Sequence, residues 1–408
     1  VPTILVAFSI AGGLVMTAVL ERVRGPIFDF DYYKDPHVTK DAHEGYMRLK
    51  REAPPLFWTE RNGGHWVVNN GDLAIEVLRQ PEIFSSTKLS IPINPNLPRL
   101  IPQMIDPPEH RFYQKLLRPF FELRAVEPQA PRITRRAEEK IGAVADRGHC
   151  EFVSEVGSHF GLSVFMELVG FPLEQFDLFR ELEYSFFSNA TDRAEQARIS
   201  QYILQQLDQL FEARRIDPKD DWLSSFVHAE FEGRKLTKPE LLSLGFMMFL
   251  AGLDTVVNAL AFGMRHLGQD PALQQRMIDD PDCIPAVVEE LMRRYTFISL
   301  PRFVTEDIEL GGITISKGDS ILVPLASISW NCPQPDVVSI ERAPCKHAAF
   351  GSGIHTCPGI HLARKEMAIF YKTWFDKIGP FRFIEAEEAM PMRIGTVQAV
   401  QEVHLAWG

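Results

Sequence analysis

Phe350-Gly351-Ser352-Gly353-Ile354-His355-Thr356-Cys357-Pro358-Gly359 is the stretch on which the fold turns. Two glycines precede a cysteine, a third follows two residues after it, and an apolar-periodic run from Ile360 to Trp374 then opens a helix. Glycines let a backbone turn sharply and pass close to a flat group. A cysteine just ahead of a helix N-terminus sits where free N–H groups and the helix dipole favour the thiolate. A thiolate so placed can be an axial iron ligand, of the kind that pushes electron density toward O–O cleavage. The bland alternative is a Gly-rich turn with an incidental core cysteine.

Working outward, the next informative residues lie in a long apolar helix. Thr237-x-x-Glu240 is a capping box with Pro239 in the first turn, and the helix it opens is expected to run unbroken to about Gln269. It is apolar on nearly all sides from Leu241 to Phe262, which predicts burial through the centre of the domain. Within it stands Ala251-Gly252-Leu253-Asp254-Thr255. An Ala-Gly pair makes room for a ligand against the helix. An adjacent acid and hydroxyl are costly in an apolar helix unless partnered. They form a proton-delivery pair, or else Thr255 bonds back to its i−4 carbonyl and Asp254 pairs with a cation.

Elsewhere, helices are expected at 131–147, 172–188, 194–215, 281–296 and 359–378. Strands are expected at 65–70, 313–316, 320–325 and 402–407, with Gly311-Gly312 and Lys317-Gly318-Asp319 as turns. Glu290-x-x-Arg293 places acid and base on one helix face, and Asp106-Pro107-Pro108-Glu109-His110 opens another helix. The pattern is mainly α with small β sheets, an α+β chain with no internal repeat.

The chain has 408 residues, 45% hydrophobic and 24% charged, with net charge −11. This balance fits a globular protein with a large core and argues against nucleic acid as partner. Five cysteines without a C-x-x-C pair suggest neither a zinc ribbon nor a disulfide framework, so a reducing, cytoplasmic setting is expected. Val1 to Leu20 carries no charge and is followed by Arg22 and Arg24. It reads either as a membrane anchor or as a packed or surface helix broken at Gly12-Gly13, and both readings stay open. Residues 1–25 are set apart on this basis. Nothing after Gly25 looks like a linker, so 26–408 reads as one domain.

Phe350-x-x-Gly353-x-x-x-Cys357-x-Gly359 resembles the haem-binding signature of the cytochrome P450 family. The resemblance runs from about Phe28 to the C-terminus. Phe28-Asp29-Phe30-Asp31, Gly63-Gly64-His65-Trp66, Phe84-Ser85-Ser86 and Leu253-Asp254-Thr255-Val256-Val257-Asn258 look like the camphor-hydroxylating bacterial branch. It implies a triangular-prism fold holding haem b, iron protoporphyrin IX. Cys357 would bind the iron, with Phe350, Gly351 and Gly359 framing the ligand loop. His110, Arg302 and His355 match the family's haem-propionate partners. Asp254 and Thr255 match the acid–alcohol pair that guides protons to dioxygen. Glu290 and Arg293 would meet Arg342 and hold the cysteine loop.

Three departures stand out. Pro98 replaces a tyrosine that holds the camphor ketone, in a stiff Pro-rich loop, 87–102. Gln114 replaces an arginine that would support a propionate and electron entry, leaving Arg111, Lys115 and Arg118 as the basic patch. Pro358 follows the ligand and has no N–H to offer the sulfur.

The resemblance implies R–H + O2 + 2e⁻ + 2H⁺ → R–OH + H2O. No flavin or iron–sulfur segment is visible. Electrons would therefore come from NAD(P)H through a ferredoxin reductase and a [2Fe-2S] ferredoxin. Candidate pocket residues are Pro98, Phe187, Met247, Leu250, Ala251, Ile298, Leu300, Thr396 and Val397. They suggest a compact hydrophobic substrate: a monoterpenoid, norisoprenoid or small aromatic. The protein is expected to be a monomer. The same residues also admit a haem-thiolate peroxygenase or isomerase, or a non-catalytic haem sensor.

Overall fold

The computed structural model describes residues 25–408 apart from 189–191, 344 and 385–391, and of the first 24 residues only 8–10 and 13–15. Those six form two short antiparallel strands, Phe8–Ile10 and Gly13–Val15, where a helix was one expectation. The rest of the proposed anchor lies outside the described residues.

Helices form the bulk of the fold. The acidic and Pro signals place their starts well, with Asp192 accepting from the N–H groups of Ala194 and Glu195 ahead of Arg193–Ile216. Other boundaries shift. The helix expected over 131–147 covers Ala130–Gly142 and is followed by a 3-10 turn, Ala145–Arg147. Pro172 and Pro281 are each followed or opened by one 3-10 turn before the α-helices Phe176–Ser188 and Ile284–Arg294 begin.

The central helix is not continuous. It runs Lys238–Leu253, breaks at Asp254 and resumes as Thr255–Leu267. The Thr237–Glu240 capping box is formed as expected. At the break, the Thr255 hydroxyl donates to the Ala251 carbonyl at 2.9 Å and so competes for the ladder's acceptor. The ladder restarts where Asn258 N–H donates to Asp254 O at 3.0 Å. Gly252 serves helix packing, because a Cβ there would lie 2.1 Å from the Phe165 ring. The room it makes is for Phe165, not for a ligand. Taken through its kink, Lys238–Leu267 is the one described helix long and apolar enough to cross a membrane, and most of it is buried within the protein.

A five-stranded sheet runs in the order Leu56–Thr59, His65–Val68, Ser320–Pro324, Ser299–Val304, Phe84–Ser85. Only the pair His65–Val68 with Ser320–Pro324 is parallel. A second sheet joins Phe381–Phe383, His404–Trp407 and His149–Glu151. Gly311-Gly312, both at positive φ, turn the hairpin between Ile308–Leu310 and Ile313–Ile315.

The cysteines depart from expectation. Cys332 and Cys345 form a disulfide with Cα atoms 5.9 Å apart, while Cys150, Cys283 and Cys357 are free. Tertiary folding brings the two together across a sequence separation of 13, which no local spacing shows.

Candidate active site

The cysteine loop is held by its backbone. Cys357 N–H donates to Phe350 O at 2.7 Å, and Gly351 N–H to Ala348 O at 2.8 Å. Gly351 and Gly353 have φ of 80° and 76°, the left-handed region that glycine tolerates. A Cβ on Gly353 would also lie 2.4 Å from Leu78 O. The helix Ile360–Lys377 follows at once, with Ala363 N–H donating to Gly359 O.

The Cys357 side chain is exposed on this loop, though protein surrounds the loop. Those surroundings push the thiol pKa up, against the pull of a hydrogen bond from Gly359 N–H. The expected helix-terminus effect is thus outweighed by desolvation in the free thiol. Pro358 has no N–H to donate, and Gly359 N–H supplies the hydrogen bond to the sulfur.

Two long contacts brace the loop. Arg293, only 1% exposed, holds Glu290 at 2.9 Å and donates to Pro335 O and Val337 O. Arg342 reaches the same carboxylate at 3.2 Å. Burial pushes Glu290 up, but Arg293, Ser339 N–H and Arg342 outweigh it and leave the pKa below its usual value. Beside this cluster, Glu289 binds His347 at 3.2 Å and Arg364, whose guanidinium lies 5.1 Å from the Phe350 ring centre. The sequence reading missed Glu289 and Arg364, although Glu289 precedes the Glu-x-x-Arg pair directly.

His110, His355 and Arg302 converge. The two imidazoles meet edge to face with ring centres 4.5 Å apart. Arg302 is buried in the strand Ser299–Val304, and one of its terminal nitrogens has no partner. His355 Nε2 is likewise buried without a partner. Burial, then the charges of Arg302 and His110, push His355 down to about 3. Burial lowers Arg302 to about 10, partly opposed by Asp106. Buried donors that repel one another and have hydrogen bonds to spare are suited to an anionic ligand. Gln114, one turn beyond His110, is exposed. Of the expected basic patch, Lys115 is paired with Glu232 and Arg118 with Glu122 at the surface.

Asp254 and Phe187 meet at a residue the sequence reading did not single out, Arg393. It forms an ion pair with Asp254 and stacks over Phe187, 5.1 Å from ring centre to guanidinium carbon. Its segment continues to Thr396, whose carbonyl accepts from Ser299 N–H at 3.0 Å, and to Val397, which bridges Ile298. Phe187 and Asp254 thus both touch Arg393, while Ile298 pairs with the segment that runs on from it through Thr396 and Val397. Leu300 and Ala251 are half-buried, as are Met247 and Pro98. Leu250 is buried, in the apolar cluster that Met247, Phe187 and Leu97 also join. Asn94 ties the Pro98 loop to Gln196 at 3.0 Å. A buried arginine in an apolar terminal segment was the available signal for Arg393, since such a charge needs a partner.

The donor set fits haem: an accessible thiol on a Gly-framed loop, with unpartnered basic groups suited to propionates. Both features named as the bland alternative for Asp254 and Thr255, the back-bonded hydroxyl and the cation partner, are also present.

Comparison with known proteins agrees. The cytochrome P450 family model matches residues 163–377. The probable cytochrome P450 127A1 of Sinorhizobium fredii is 30% identical over 384 residues, 91% of each chain. The steroid C26-monooxygenase of Mycobacterium tuberculosis (strain ATCC 25618 / H37Rv) is 27% identical, covering 88% of this chain and 91% of its own. The crystal structure of CYP101J2 superposes with a TM-score of 0.84 at 33% identity, over 94% of this chain and 97% of that one. CYP101C1 gives the same TM-score at 28% identity. With a thiol loop, an anion-seeking basic cluster and a matching fold over nearly its whole length, the chain belongs to the cytochrome P450 family of haem-thiolate monooxygenases.

Proposed function

We propose that this monooxygenase hydroxylates a compact hydrophobic molecule, a monoterpenoid, norisoprenoid or small aromatic, with electrons passed from NAD(P)H through a ferredoxin. Support comes from Phe187 stacked on Arg393 beside Asp254, and from Ile298 paired with Val397 on the segment that continues from Arg393; with Thr396 they would form one wall of the pocket. It is apolar apart from Thr396 and the charged cluster at Arg393, and the stiff loop carrying Pro98 is tied down by Asn94.

Haem iron, when bound, supplies the redox chemistry that activates dioxygen. The chain's own groups do the rest. Cys357 Sγ would hold the iron, and His110, Arg302 and His355 would hold the propionates. The apolar wall excludes bulk water. Asp254 Oδ holds and passes protons, and Thr255 Oγ1 orients them toward the dioxygen substrate. Glu290, Arg293 and Arg342 keep the thiolate loop in place.

Titrating the haem-loaded protein with terpenoids, norisoprenoids and small aromatics should move the Soret band from its low-spin to its high-spin position. A shift produced only by long-chain acids or large macrocycles would contradict the substrate class.

A further inference from the structure

A second carboxyl is buried beside the acid–alcohol pair. Glu183 lies on the helix Phe176–Ser188 and is only 4% exposed. A buried carboxyl must be neutral or paired. Its carboxyl lies within hydrogen-bonding reach of Asp254, and its Oε1 has no hydrogen-bond partner. Carboxyl groups can share such a bond only if one carries the proton. Asp254 is already engaged by Arg393. The charges facing Glu183 are those of Asp254, from the central helix, and Arg393, from the C-terminal segment.

We propose that Glu183 supplies protons to Asp254, and that Arg393 holds Asp254 in register to receive them. This rests on the reading of Asp254 as the proton-delivering acid.

The shared bond assigns the proton to Glu183. Arg393 stabilises charge on Asp254, while burial, followed by the Asp254 charge, pushes the Glu183 pKa well above the carboxylate range. Arg393 feels burial against its charge, yet Asp254 and Glu183 outweigh that and raise its pKa. The resting arrangement is therefore Glu183–COOH, Asp254–COO⁻ and Arg393⁺, with no net buried charge beyond the pair. The Glu183 O–H bond breaks as an Asp254 O–H bond forms; Asp254 then releases that proton inward and returns to the carboxylate, which leaves Glu183 as the carboxylate to be reprotonated. No electron moves. Water then returns a proton to Glu183 by way of the solvent edge, marked by its exposed neighbour Tyr184. Tyr184 also lies within electrostatic reach of Arg393. The cluster thus spans from that edge to the break in the central helix.

The test uses the haem-loaded full chain. Infrared difference spectra should show a protonated-carboxyl C=O stretch at neutral pH that is lost in Glu183→Gln. That variant preserves shape and can still donate to Asp254, but cannot release a proton. NADH-driven product formation should fall on the order of tenfold. The solvent deuterium isotope effect should rise, and the pH profile should move with it. Unchanged haem content and melting temperature will separate this from misfolding. If Glu183→Gln keeps the band, or keeps wild-type rate and isotope effect while Asp254→Asn loses both, the relay is wrong and the Asp254 reading stands. If Asp254→Asn itself is silent, the Asp254 reading falls and takes the relay with it.

Discussion

The hydroxyl of Thr255 donates to the carbonyl of Ala251 at 2.9 Å, at the point where the central helix breaks. The bond fixes the rotamer of a hydroxyl in the residue next to Asp254. Thr255→Ala removes it without changing the apolar wall. Coupling of NADH oxidation to product should fall on the order of tenfold, with the electrons appearing as hydrogen peroxide, and Thr255→Ser should retain most of the coupling. Peroxide yield per NADH is the measurement; unchanged coupling in Thr255→Ala contradicts the role.

Pro358 leaves Gly359 N–H as the hydrogen bond to the Cys357 sulfur that the structure records. Pro358→Leu restores a backbone donor beside it. One added bond of about 1 kcal/mol to the sulfur favours the more negative, ferrous state, a rise of roughly 40 mV for a one-electron couple. Spectroelectrochemistry should find the wild-type potential lower than the variant's.

Arg302 and His355 carry the unpartnered donors of the basic cluster. Arg302→Leu or His355→Ala removes a charge-assisted bond to a propionate. Haem transfer to apomyoglobin should accelerate on the order of tenfold for each. A rate equal to wild type would remove that residue from the propionate site.

Much of this site could be read from the chain because its residues sit in local patterns. The thiol loop is ten consecutive residues whose glycines are set by backbone need, and Glu290 with Arg293 is one helical turn. Arg342 was reachable only through the resemblance. What stayed hidden depends on distant segments meeting. Asp254 and Arg393 are 139 positions apart, and no local spacing links them to each other or to Glu183. The strand Ser299–Val304 was obscured by Pro301, which the sheet accommodates opposite Leu322. The break at Asp254 was hidden because the flanking apolar pattern suits one continuous helix. Burial of the Cys357 surroundings, which reverses the expected shift of the free thiol, is a property of packing alone.

Glu289 joins the helix Ile284–Arg294 to His347 and Arg364. Burial opposes its charge, but those two partners hold its pKa down at about 2, below the ordinary 4.5. A lowered native pKa stabilises the fold above the unfolded value and loses that contribution as pH falls from 4.5 toward about 2. Urea midpoints should drop across that window in wild type and drop less in Glu289→Gln.

Arg293 is the most buried member of the loop brace, at 1% exposure. Arg293→Ala leaves Glu290 buried beside Arg342 alone and two carbonyls without their donor. A loss of about 3–5 kcal/mol is expected. Haem incorporation and thermal melting report it.

Sulfur ligation of iron by Cys357 underlies every role assigned to this site. Purified protein, reduced and exposed to carbon monoxide, should show the strongly red-shifted Soret band of a thiolate-ligated haem carbonyl, and Cys357→His should abolish it. A colourless protein, or a carbonyl band at the position of a histidine-ligated globin, would contradict it.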